Sequence, residues 1–137
     1  MDVLDMYKII DKEKIKVENY KWTNAKARIF EIDNDYYIAL DGSKIENSVE
    51  EKQILAEELG HYYCNALYYI NSDTVTKNKC EYRAKKWAYS VLVPLQRLKE
   101  KIAQGLELYD LADFFNVDIK YMIDCIDFYT SKYGVLV

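Results

Sequence analysis

The chain has 137 residues, half of them apolar and 31% charged, a globular balance at the size of a single domain. Its net charge of −4 comes without a cluster of Lys and Arg, which argues against nucleic acid as a direct partner. Three cysteines with no C-x-x-C pair, and a first stretch with Asp2 and Asp5 but no long apolar run, argue against a thiolate cluster, a disulfide framework, a secretory signal and a membrane span. The expectation is a cytoplasmic protein with Cys64, Cys80 and Cys125 as buried thiols.

Apolar residues at 3, 4, 6, 7, 9 and 10 predict a short first helix. Residues 11–23 are charged and carry no clear period. From Ala27 to Asp41 the period becomes two: Ile29, Phe30 and Ile32 precede Asp33-Asn34-Asp35, and Tyr36 to Leu40 follow. Two β-rich runs around turn-forming residues predict a β-hairpin. Ser48 with Glu51 has the spacing of a capping box and opens a central helix that frays beyond Asn65. A polar loop from Tyr69 to Asn78 should follow.

A second long helix is predicted from Asn78 or Lys79 to Val93, with Ala84, Trp87, Ala88 and Val91 on its packed face. Pro94 starts another helix, Leu95 to Ala103, which Gly105 ends. The tail should form helices from Tyr109 to Phe115 and from Ile119 to Lys132, the latter capped by Asp118. The order predicts an α+β fold: a zincin-like helix pair, a small antiparallel sheet and a C-terminal helical part. We read residues 1–137 as one domain, with a core at 1–104 and a small helical subdomain at 105–137. The spacing of Leu111-Ala112, Asn116-Val117 and Met122-Ile123 is that of a helix-turn-helix, yet Asp118, Asp124 and Asp127 would repel phosphate. That subdomain therefore reads as a packing or protein-binding element.

Chemistry concentrates on the central helix. His61 is the only histidine, with Glu57 four residues before it and Glu58 three before it. Residues i and i+4 share a helix face, so Glu57 and His61 can grip one ion. This is the spacing of H-E-x-x-H, with glutamate at the first ligand position. A catalytic zinc site needs three protein ligands. Glu81, on the next helix and close to the small Ala84, is the leading candidate for the third, and Cys64 is its rival.

Together these stretches resemble the ImmA/IrrE metallo-endopeptidase family: Ile54-Leu55-Ala56-Glu57-Glu58-Leu59-Gly60-His61-Tyr62, then Glu81-Tyr82-Arg83-Ala84-Lys85-Lys86-Trp87-Ala88, then Leu92-Val93-Pro94. The resemblance implies a zinc peptidase with His61 and Glu81 as metal ligands, Glu57 standing where the family has its first histidine, and Glu58 as general base. It further implies a protein substrate, a helix-turn-helix repressor of a phage or mobile element. A Glu/His/Glu set should hold zinc less selectively and accept manganese or iron. Tyr62, Tyr63, Tyr68 and Tyr82 are candidate oxyanion donors, and the Tyr36 to Leu40 strand is a candidate edge for an extended substrate. The alternative is a non-catalytic anti-repressor that binds its partner through the same cleft.

Overall fold

The computed structural model describes residues 1–65, 67 and 72–136. Among the described residues, six α-helices accompany a small three-stranded sheet, as the α+β reading expects. Helix α1 (Val3–Lys12) is closed by a reciprocal cap between Asp2 and Asp5 and buries Met6 and Ile10. Strands β1 (Lys16–Asn19), β2 (Ala27–Ile32) and β3 (Asp35–Leu40) follow.

The predicted hairpin is β2–β3, antiparallel, with Ile29 opposite Ile38. Asp33 and Asn34 both take positive φ, the left-handed pair that a tight two-residue hairpin turn needs. The sheet is mixed, however, because β1 adds to the other side of β3 in parallel, giving the order β1-β3-β2. Every residue of β1 is exposed, so no alternation marks it in the sequence. As the middle strand, β3 has no free edge, and the Tyr36 to Leu40 edge expected for substrate does not exist. The free edge nearest the central helix belongs to β2.

Between β1 and β2 the chain wraps the end of β3. Trp22 donates its backbone N–H to Asp41 and its indole N–H to Ala39 O. Lys44 extends beneath this loop and donates to the carbonyls of Trp22, Thr23 and Ala25.

The central helix α2 runs Ser48–Tyr63. Its cap is Asn47, whose side chain accepts the Glu50 amide at 2.9 Å, rather than Ser48. Asn caps at least as well as Ser, and the helix begins one residue earlier than the Ser48-Glu51 box implies. Helix α3 (Thr74–Leu92) likewise starts before Asn78, capped by Asp73 through the Thr76 amide at 2.7 Å. The run Thr74-Val75-Thr76 has poor intrinsic helix propensity and is exposed, and the Asp73 cap offsets that preference. Of the expected Tyr69 to Asn78 loop, Tyr69, Ile70 and Asn71 lie outside the described residues.

Helices α4 (Leu95–Ala103), α5 (Leu108–Phe115) and α6 (Ile119–Tyr133) complete the chain, close to their expected bounds. Asn116 turns α5 into α6 in the left-handed conformation. Asp118 precedes α6, but its carboxylate accepts from Gln53 rather than capping the helix. Lys52, 1% exposed, donates to the carbonyls of Met1 and Asn116, so α2 is tied to both the first residue and the α5–α6 turn. One buried apolar cluster runs from Met6 through Ile38, Leu55, Leu59, Leu98 and Met122 to Leu136. No helix among the described residues is long and apolar enough to cross a membrane.

Candidate metal centre

Helix α2 carries Glu57 and His61 on one face, and α3 sets Glu81 against them. Nε2 of His61 lies 3.3 Å from Oε1 of Glu81. One potential ligand atom from each of Glu57, His61 and Glu81 lies within 4.8 Å of the other two. Such convergence requires the two helices to approach closely. At Gly60, a Cβ would stand 2.4 Å from the Ala84 carbonyl oxygen and 2.9 Å from its Cα, too near for any side chain. In the sequence Ala84 stands out as a small residue on a packed face, whereas Gly60 shows its part only once the two helices are placed. A glycine inside a helix costs about 1 kcal/mol relative to alanine, and that cost is itself a signal that backbones meet there.

Glu58 projects beside this group. Its Oε2 accepts the Ile29 N–H at 2.8 Å. This bond shows that Ile29 directs its amide away from β3, so the alternating ladder leaves Ala27, Ile29 and Glu31 facing outward along the β2 edge. No side-chain pattern could reveal this partner, because it is backbone. Burial raises the Glu58 carboxyl to about 7; His61, the Ile29 amide and Arg28 pull the other way, and Glu81 adds to the rise.

Glu57 is also pushed well above the usual carboxylate range. Burial is the largest cause, followed by the hydrogen bond and charge of Glu81 and then the charge of Glu58, with Lys85 opposing. Carboxylates pressed together in a partly desolvated site repel, and a divalent cation among them would relieve that repulsion. The donors fit such an ion in number and chemistry: one imidazole and two carboxylates make three ligands. Imidazole suits zinc and carboxylate suits manganese, so the set can accept either ion.

A cleft of about 340 Å³ opens over these groups, walled by residues 24–29 on one side and by Ile54, Glu57, Glu58, His61 and Glu81 on the other. Cys64, the rival third ligand, caps α2 and places its Sγ 3.6 Å from the Arg83 carbonyl, outside the converging group. The candidate oxyanion donors fare no better. Tyr62 donates its hydroxyl to Glu13, Tyr63 stacks on Trp87, and Tyr82 packs on Phe128. None of these three lines the cleft. Tyr68 lies outside the described residues.

The family model described as the IrrE N-terminal-like domain, a peptidase family, matches residues 11–122. Neither the curated proteins nor the solved structures give a significant match.

Proposed function

The chain belongs to the IrrE N-terminal-like peptidase family, and we propose that it is a zinc-dependent endopeptidase acting in the cytoplasm on a helix-turn-helix repressor of a phage or mobile element. The observation that carries the reading is the convergence of Glu57, His61 and Glu81 within 4.8 Å, with Glu58 alongside. The three free cysteines agree with a reducing compartment.

Glu57, His61 and Glu81 would hold the ion. When bound, it supplies Lewis acidity that polarises a peptide carbonyl and acidifies a water. Glu58 is the general base: the Ile29 amide fixes one of its oxygens, and its carboxylate beside the three ligands can take a proton from water and later give it to the leaving amine. The outward groups of β2 at Ala27 and Glu31 would hold an extended substrate against the cleft by backbone pairing.

Calorimetric titration of chelator-stripped protein with zinc and with manganese tests the reading. We expect one-to-one binding, weakened by each of Glu57→Ala, His61→Ala and Glu81→Ala. An absence of binding even at millimolar metal would sink it.

Glu57 itself favours a second reading, a non-catalytic anti-repressor that binds its partner through the cleft. Glutamate replaces the histidine that the family resemblance places there, and it makes the ion a weaker Lewis acid. On that reading, repressor antagonism survives Glu58→Gln.

A further inference from the structure

Glu57 borders two cavities. One is the cleft already described, and the other, of about 670 Å³, lies between α3 and α6. The walls of the second include Tyr82, Tyr89, Tyr121 and Phe128. Tyr121, on α6, packs edge-on against Tyr89 with ring centroids 5.2 Å apart. Its hydroxyl oxygen is the one buried side-chain polar atom without a hydrogen-bond partner among the described residues. A buried hydroxyl left unpartnered is destabilising, and a phenyl ring would fill the same space without that cost.

The neighbourhood of that hydroxyl points to a use. Burial, Tyr89, Cys125 and the Glu57 charge together keep it protonated, so it can serve only as a donor or a neutral acceptor. A carboxylate that gives one oxygen to a cation keeps lone pairs on the other, and a donor on that second oxygen fixes the ligand's orientation. A histidine ligand would offer its second ring N–H to an acceptor, whereas a carboxylate ligand such as Glu57 calls for a donor.

We propose that Tyr121 is a positioning residue for Glu57, donating its hydroxyl to the Glu57 carboxylate when that carboxylate ligates a divalent cation. The proposal rests on the metal-binding reading above. It makes α6 part of the metal centre, so the tail serves the site as well as the core.

The test is zinc titration by calorimetry of wild type, Tyr121→Phe and Tyr129→Phe, with thermal unfolding of each chelator-stripped protein. Tyr121→Phe should weaken zinc binding by about 10–100-fold, the usual effect of removing a partner behind a ligand. Its metal-free Tm should stay unchanged or rise, since the hydroxyl has no partner to lose. Tyr129→Phe removes a bond to the Val93 carbonyl at 2.8 Å and should lower Tm without changing zinc affinity. Equal zinc affinity in wild type and Tyr121→Phe would overturn the proposal while leaving the metal centre standing. So would an equal loss of affinity in Tyr129→Phe, which would mark a diffuse effect of the aromatic cluster. If wild type itself binds no zinc, the metal-binding reading falls and takes this one with it.

Discussion

Gly60 and Ala84 meet backbone to backbone where α2 and α3 pack, with no room for a Cβ between Gly60 and the Ala84 carbonyl. One turn of α3 before Ala84 stands Glu81, and one residue after Gly60 stands His61, so this contact sets how near those two side chains come. Gly60→Ala should force the helices apart. Overpacking of this kind costs about 1–3 kcal/mol. We expect a lower Tm together with a loss of metal affinity beyond that of a matched destabilising change elsewhere in the core, such as Leu98→Ala. Thermal unfolding and zinc titration on the pair of variants read both effects.

Glu58→Gln separates binding from chemistry. Gln can still accept the Ile29 N–H through its amide oxygen, so the local structure is kept, but it cannot take a proton. Zinc affinity should change little. Peptide hydrolysis should fall by about 10²–10⁴-fold, the range for removing a general base. Retention of cleavage by the variant would assign the base elsewhere.

Glu57→His restores two histidines four residues apart on one helix face. Imidazole favours zinc over the harder manganese, whereas carboxylate serves both. The ratio of zinc to manganese affinity should therefore rise in the variant, measured by competition between the two ions. An unchanged ratio would show that Glu57 does not reach the ion.

The raised carboxyls should make the metal-free fold sensitive to pH. Glu58 moves from an ordinary 4.5 to about 7 in the folded state, and Glu57 moves in the same direction. Folding then binds protons, so the stability these groups contribute is whole below about pH 4.5 and is lost as pH rises through about 7. Urea midpoints of chelator-stripped protein should fall between pH 5 and pH 8, and Glu58→Gln should flatten the fall. Saturating zinc should raise the midpoint at pH 8, because an ion that binds only the folded chain stabilises it by mass action.

Much of the centre could be read from α2 alone. The four-residue step from Glu57 to His61 places both on one face whatever surrounds the helix, because helix geometry is local. The hairpin was equally legible, since Asp33-Asn34 between alternating runs carries its own turn chemistry. Glu81 was reachable through the small Ala84 nearby. Strand β1 was not, because a fully exposed edge strand has no burial pattern to leave in the sequence. The caps at Asn47 and Asp73 were missed for a simpler reason: neighbouring polar residues compete for the same role, and the backbone path decides between them.

By itself, then, the sequence determined what repeats along one element: which side chains share a face, where a turn closes, and which residue types can ligate or take a proton. Tertiary structure alone decided what depends on separate elements meeting. It placed β3 in the middle of the sheet and so gave the cleft its wall from β2, and it turned the Ile29 amide onto Glu58. Through Gly60 and Ala84 it also drew Glu81 to His61. Local periodicity comes from the few angles of one chain segment, whereas these distances come from how well distant surfaces fit, and no window of sequence contains both surfaces.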